Sequence, residues 1–320
     1  VIKTGWFRRA IFAGICFLLV LCGYCSVYFI PFQIGSDKSV LVEAGKPLRV
    51  IADKLEAEGI VRSSGVFSLV TRVRGLGTQL QAGEYVFSGR VSMRDVVEKL
   101  RRGDVYLHAV TIPEGLTSYQ IIALLQDLPI LSGDVREIPA EGSLLPETYH
   151  VPRGSDRGAV VRDMQIAMRR YLETVWAKRS PDVPLNTPDE AIILASIVEK
   201  ETGIEAERGL VASVFINRLR AKMRLQSDPT IIYGLTGGQK ALGRPIRRSE
   251  IARETPYNTY VIKGLPPAPI ANPGRAAIDA VLNPPQTDYL FFVADGSGGH
   301  VFAKTLEAHN ANVRRWRSNR

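Results

Sequence analysis

The chain has 320 residues, of which 41 are Lys or Arg and 32 are Asp or Glu, giving a formal charge of +9. With 45% hydrophobic residues it has the composition of a folded protein large enough for two modest domains, which excludes a disordered polyelectrolyte. The basic excess suits an anionic partner, whether nucleic acid, membrane headgroups or an acidic polymer, without choosing among them.

The first element narrows that choice. Ala10 to Ile30, "AIFAGICFLLVLCGYCSVYFI", carries no charged side chain, and it matches the ~20 residues a helix needs to cross the hydrocarbon layer. Lys3, Arg8 and Arg9 precede it, and no basic residue follows before Lys38. The positive-inside rule therefore predicts a cytoplasmic N-terminus, with everything beyond Phe32 outside. Trp6 before the span, and Tyr24, Tyr28 and Phe29 late in it, fit the aromatic belts of the two interfaces. The run is longer than the core of a cleaved signal and lacks a small-x-small cleavage site. The expectation is an uncleaved anchor: cytoplasmic residues 1–9, a transmembrane helix over 10–31 and a linker over 32–38. Cys16, Cys22 and Cys25, the only cysteines, all fall within it. The exported portion then folds by its core alone, without a cysteine nucleophile or cysteine zinc site.

From Ser39 to about Asp104 the pattern predicts a small α+β module, assigned to residues 39–105. It comprises a strand "VLVEAG", a helix with Leu48, Ile51, Ala52 and Leu55 on one face, and a second helix from Ser64. A strand "GEYVF" follows, then a helix "SMRDVVEKLRRG" opened by a Ser-x-x-Asp capping signal and closed by Gly103. A weak internal repeat sets "VEAGKPLRVIADKLEAEGI" against "IPEGLTSYQIIALLQDLPI", aligning Gly45 with Gly115 and Leu55 with Leu125. Residues 132–160, rich in Gly, Pro and acidic turn formers, mark a domain junction, so 106–155 is expected to be a connecting subdomain.

The second domain, 156–320, opens with a helix from about Ala159 to Lys178. Thr187-Pro188-Asp189-Glu190 is a capping box with proline at the first helical position, and it starts a helix through "AIILASIVEKET" that stops at Gly203. A helix over about Glu205 to Lys222 comes next, then loops carrying "LQSDPT", "ETPYNTY" and "GLPPAPIANPG". The hairpin "YLFFVA", "DGSGG", "HVFA" and an amphipathic basic helix with Leu306, Val313 and Trp316 on one side close the chain. The fold class is α+β throughout.

Glu199 and Glu201 stand at the end of the apolar helix. Two residues apart, they project roughly 200° from one another, which excludes a paired-carboxylate glycosidase built from these two. Glu199 shares a face with Ile192 and Ser196, whereas Glu201 follows Ile193, Leu194 and Ile197; periodicity does not say which points inward. Both lie in the last turn, where the unpaired carbonyls disfavour a carboxylate and should raise its pKa, as a general acid requires. The structural reading is an exposed helix end with Lys200, Arg208 and Arg218 as ion-pair partners.

Three long blocks carry a resemblance: "ASIVEKETGIEAERGLVASVFINRLRAKMRLQSDPTIIYGL", "ETPYNTYVIKGLPPAPIANPG" and "YLFFVADGSGGHVFAKTLEAHN". They closely resemble the endolytic murein transglycosylase (MltG or YceG-like) family, and the likeness extends over anchor, module and catalytic domain. The resemblance implies a bacterial inner-membrane enzyme with a periplasmic or extracytoplasmic domain that cuts peptidoglycan between N-acetylmuramic acid and N-acetylglucosamine. It assigns catalysis to the first glutamate of the triplet, Glu199, as acid and then base, leaving 1,6-anhydromuramic ends with no metal or other cofactor. It further implies proximity to peptidoglycan synthases (penicillin-binding proteins), and a LysM-like character for residues 39–105.

Gln226 and Asp228 in "LQSDP", and Tyr257, Asn258 and Tyr260 in "YNTY", offer the amides, carboxylate and aromatic faces that sugars need; Asx-turns and ring packing are the structural alternative. Glu147 and Tyr149 in "LPETY" and His300 after the glycine turn complete the expected substrate-binding set. Two rivals stand beside this reading. One is a non-catalytic membrane-anchored glycan-binding scaffold; the other is a hydrolase with Asp228 or Glu147 as its second acid. The four histidines have no metal-ligand spacing, no phosphate loop or Ser-nucleophile elbow occurs, and an exported location argues against nucleic acid as partner.

Overall fold

The structure, a computed structural model, describes residues 3–318. The side chains of Trp6 and Cys25, and the terminal pairs 1–2 and 319–320, lie outside the described residues, and so do the expectations that fell on them. Helix α1 (Lys3–Phe29) contains Phe7–Phe29, in which an 18-residue window has mean hydropathy 2.4 and no buried residue, the one described helix long and apolar enough to cross a membrane.

The chain forms two compact units: residues 1–108 with 150–153, and residues 109–149 with 154–320. In the first, β1 (Phe32–Gln33) is followed by β2 (Lys38–Val42), α2 (Leu48–Ala57), α3 (Ser64–Val73), β3 (Gly83–Phe87), β4 (Arg90–Val91) and α4 (Met93–Arg102). Strands β2 and β3 are antiparallel with Val40 opposite Tyr85, and the period-2 alternation puts Val40, Val42, Tyr85 and Phe87 inside. Ile51, Ala52 and Leu55 of α2, Phe67 and Val70 of α3, and Met93, Val96, Val97 and Leu100 of α4 fill the same core. Ser92 and Asp95 cap α4 reciprocally and Gly103 ends it in the left-handed conformation, φ +71°, as its sequence predicts.

The expected linker over 32–38 is instead part of this unit. Phe32 pairs with Val91 across β1 and β4, Ile34 is buried, and Tyr28 from the last turn of α1 is only 2% exposed. A two-residue strand is too short to leave a periodic signature, which hid it in the sequence.

Strand β5 (Leu107–Thr111) leads into the second unit, and the chain continues with α5 (Ser118–Gln126), β6 (Leu131–Ser132), β7 (Thr148–Pro152), whose residues 150–152 belong to the first unit, β8 (Ser155–Asp156) and α6 (Arg157–Trp176). Then come α7 (Pro188–Glu201), α8 (Glu205–Arg220), α9 (Asp228–Thr236), α10 (Arg248–Ile251), α11 (Arg275–Leu282), the hairpin β9 (Phe291–Ala294) and β10 (His300–Ala303), and α12 (Leu306–Ser318). Helix α7 is the axis of the unit: Ala191 to Val198 are buried without interruption, so it is apolar on every side and packed on every side. Its neighbours α8 and α11 contribute Val211, Phe215, Ile278 and Val281.

The segment set apart in the sequence as a connecting subdomain packs against the C-terminal elements. Asn272 accepts a bond from Leu144 N–H at 2.9 Å and donates to Glu141 at 2.9 Å and Ser118 at 3.1 Å. The repeat is visible as local structure: Gly45 (φ +76°) precedes α2 as Gly115 (φ +74°) precedes α5.

Candidate active site

Thr187 Oγ1 accepts from Glu190 N–H and starts α7, while Glu190 reaches back to Asn186 N–H at 2.6 Å. The helix ends at Glu201, with Thr202 extended beyond it. Its last turn therefore presents Glu199 and Glu201 to different surroundings.

Glu199 lies in a notch beside two glycines. Its Oε2 accepts from Gly274 N–H at 3.0 Å, which is the N-cap position of α11. A Cβ on Gly115 would stand 3.4 Å from its Cγ, and Lys200 reaches Gly115 O at 3.1 Å. Burial raises the Glu199 pKa, Gly274 N–H opposes that, and Glu114 adds to it. On the same face, Ser196 Oγ accepts from Ile270 N–H at 3.0 Å. This side of α7 is bonded to the 270–274 segment, and Glu199 serves there as an acceptor at the start of a helix, a place that favours a carboxylate.

Glu201 faces a cavity of ≈ 420 Å³ lined by Arg218, Gln226, Asp228, Tyr260, Phe292 and His309 among others. Its Oε1 accepts from Ser227 Oγ at 2.5 Å. Burial pushes its pKa up to about 7, Ser227 opposes the rise, Asp228 adds to it, and His300 and Arg218 counter it from a distance. Burial, rather than the helix end, is the dominant cause.

Three of the expected binding residues meet here. Tyr260 Oη donates to Asp228 Oδ1 at 2.7 Å, and burial together with that bond holds its phenol well above the usual range. Gln226 has φ +54°, a left-handed backbone that a non-glycine residue rarely adopts, held by Gln226 N–H to Thr259 O at 3.1 Å. Such strain at a cavity wall is a common mark of a functional position.

The other expected residues stand elsewhere. Asn258 is 1% exposed and its amide donates to Ile251 O at 2.9 Å and Arg253 O at 2.7 Å, bracing its own loop. Tyr257 packs on Tyr233 with ring centroids 4.9 Å apart. Tyr149 Oη donates to Leu145 O at 2.7 Å, and Glu147 pairs with Arg275, whose guanidinium lies 4.2 Å above the Tyr171 ring. His300 bonds Glu207 of α8 through both its Nδ1 (2.8 Å) and its backbone N–H (2.9 Å), and its ring stands edge-on to Phe292. It fixes the hairpin behind the wall that Phe292 supplies.

Sequence reasoning missed two members of the wall. Arg218 is 7% exposed and donates to Leu290 O and Leu225 O, each at 2.7 Å, so its charge sits in the wall tied to carbonyls. His309 of α12 stacks on Phe291 and has a buried Nδ1 without a hydrogen-bond partner among the described residues. Burial, helped by Arg218, lowers its pKa, which favours the neutral ring. A signal existed: Arg218 lies three after Phe215, Glu201 four after Ile197 and His309 four before Val313, all helical spacings from apolar positions. Among the described residues no group of three or more His, Cys, Asp or Glu is arranged to hold a metal.

A desolvated acid over an open cavity, with an amide, a carboxylate, a phenol and a cation around it, is equipment for acid–base chemistry on a polar substrate. The comparisons with known proteins agree in kind. The chain belongs to the YceG-like family, whose profile matches residues 40–315. It is 30% identical to the endolytic murein transglycosylase of Bacillus subtilis, over 85% of this chain and 82% of that one. It is also 30% identical to the protein of that name from Streptococcus pneumoniae, over 89% of this chain but 59% of that protein's length. A crystal structure of a yceG-like protein from Listeria monocytogenes matches 87% of this chain and 99% of its own, with 28% identity and a TM-score of 0.53.

Proposed function

We propose that the protein is an endolytic peptidoglycan lytic transglycosylase whose acid is Glu201. The observation that carries this is the carboxyl held near pKa 7 in the wall of the cavity. Protonated Glu201 donates to the glycosidic oxygen as the bond from the muramyl C1 to that oxygen breaks, releasing an N-acetylglucosamine hydroxyl. The muramyl C6 hydroxyl closes on C1 and gives its proton to the Glu201 carboxylate. The proton is returned, no water is consumed, and a 1,6-anhydro end results. One group serves as acid and base, for which a pKa near the working pH is suited. Gln226, Asp228 and Tyr260 would orient the sugars, with Arg218 and the neutral His309 as further polar contacts. In this reading Glu199, the acid that the family resemblance suggested, holds α11 in place.

The anchor, with its basic N-terminal flank, supports an inner-membrane location with the catalytic unit outside and peptidoglycan synthases as neighbours. A LysM-like role for the first unit, as a second grip on glycan, rests on the family resemblance. Asp228 in the same cavity favours a hydrolase as the second reading, because a second carboxylate can activate water.

One experiment separates these. The full chain in detergent is used because Tyr28 and Ile34 belong to the first unit's core. Wild type, Glu201→Gln and Glu199→Gln are incubated with purified peptidoglycan and the products are weighed by mass spectrometry. Internal cuts ending in anhydromuramic acid, lost only in Glu201→Gln, are the expected result. Loss only in Glu199→Gln would return the role to that residue, reducing ends would establish the hydrolase, and binding without products would leave the scaffold.

A further inference from the structure

Helix α1 and the first unit meet through aromatic residues that arginines cover. The run Phe7–Phe29 has 23 residues, about 34 Å of helix, against a hydrocarbon layer of about 30 Å. If α1 spans the bilayer, as its composition supports, its last turn emerges at the headgroups. That turn carries Tyr28 and Phe29, with Phe32 just beyond. Arg74 stacks 5.5 Å from the Tyr28 ring centroid and donates to its hydroxyl, Arg94 lies 6.0 Å from the Phe29 ring and Arg62 lies 5.0 Å from the Phe32 ring. All three arginines are exposed. None of them forms an ion pair among the described residues. The nearest acids of α4 are already engaged, Asp95 with Ser92 and Glu98 with Arg101.

Beside this collar, α3 turns an apolar stripe outward. Leu69 is 61% exposed and Val73 is 78% exposed, four residues apart and hence on one face. They are flanked by Arg72 and Arg74, and Arg74 is the residue that grips Tyr28. Exposed aliphatic side chains beside arginines, on the helix end whose Arg74 reaches Tyr28 in the last turn of α1, form a surface suited to the interface, with apolar groups entering the acyl boundary and guanidinium groups meeting phosphate.

We infer that the outer end of α3 and the collar of Arg62, Arg74 and Arg94 rest on the bilayer that α1 crosses, with anionic phospholipid as the partner. The module is then seated on the membrane rather than tethered to it, because Tyr28, β1 and Ile34 leave no free linker between the anchor and the unit's core. The inference rests on α1 spanning and is independent of which glutamate is catalytic.

The test uses the full chain with Cys16, Cys22 and Cys25 changed to Ser. Single cysteines at Leu69→Cys, Val73→Cys and, within α1, Leu18→Cys carry a nitroxide in vesicles of phosphatidylcholine with phosphatidylglycerol. Accessibility to oxygen relative to a water-soluble nickel chelate reports depth. Labels at positions 69 and 73 should read several-fold above free label in buffer and approach the reading at position 18. Changing Arg62 and Arg94 to Gln, or omitting phosphatidylglycerol, should lower the value at position 73 while leaving position 18 unchanged. If positions 69 and 73 match the free label while position 18 reads acyl chain, the seated surface is wrong although the anchor spans. A water-like reading at position 18 would remove the anchor and the inference with it. Depth at position 73 that ignores both the arginines and the lipid charge would overturn the role of the collar.

Discussion

The two sides of the last turn of α7 make an instructive pair. Glu199 and Glu201 are the same residue type on the same turn, and burial raises both carboxyls. Glu199 spends its carboxylate on a backbone N–H at the start of α11, beside Gly115. Glu201 has one hydroxyl donor and an open cavity. Helix position is common to the two; what differs is the hydrogen-bond partner, a backbone N–H for Glu199 and a serine hydroxyl at a cavity wall for Glu201.

The largest expected effect tests that difference directly. Glu201→Gln should lower turnover by about 10²–10⁴-fold, the range of general acid–base catalysis, while Glu199→Gln, which keeps an acceptor for Gly274 N–H, should lose far less. The pH dependence follows with a definite sign. The folded pKa of about 7 lies above the ordinary value of 4.5, so the acid form is lost, and kcat/KM should fall, as pH rises through 7. The same shift costs stability: the folded state holds the proton between pH 4.5 and 7, and it is increasingly penalised as pH rises across that window. At ~1.36 kcal/mol per pH unit the penalty reaches at most about 3 kcal/mol above pH 7. Glu201→Gln should therefore be more stable than wild type at pH 8, with the gain shrinking toward pH 4.5, as followed by denaturant unfolding. A stability difference independent of pH would mean that the carboxyl is not held as described.

The bonded side of α7 is broken by Gly142→Ala. Gly142 has φ +77°, and an added Cβ would lie 2.6 Å from both Ile192 of α7 and Pro269. Left-handed strain and overpacking together should cost about 2–5 kcal/mol, with turnover per folded molecule unchanged. Glu199→Ala attacks the same side more gently. It leaves Gly274 N–H without its acceptor and should cost about 1–3 kcal/mol, again read by unfolding against activity per folded molecule. If Glu199→Ala instead abolished turnover in a stable protein, the contrast between the two faces would be reversed.

Much of this architecture was legible in the sequence because its cues are local. The capping box of α4, the Thr187 start of α7 and the glycine-rich hairpin turn each specify a boundary from a few neighbouring residues, and they fall where the residues place them. The sequence reads α9 as loop because Ser227, Asp228 and Pro229 are turn formers as well as helix starters, and it reads 106–155 as a connector because bonds of that segment run to residues far along the chain, such as Asn272. The site followed the same division. Gln226, Asp228 and Tyr260 stand out by composition, whereas the partners that distinguish Glu199 from Glu201, Gly274 and Ser227, are ones no helical period brings into view.

The smallest expected effect lies within the cavity and sharpens its side of the contrast. Tyr260→Phe keeps the ring and removes the hydroxyl that donates to Asp228. Stability should change by about 1 kcal/mol or less, the net worth of one hydrogen bond. The informative readout is the product. If Asp228 only orients a sugar through its alignment by Tyr260, the variant should raise KM and leave the anhydro product unchanged. Should freeing Asp228 instead yield a fraction of reducing ends, the phenol is what keeps that carboxylate from recruiting water, and the choice between ring closure and hydrolysis rests on a single hydrogen bond across the cavity from Glu201.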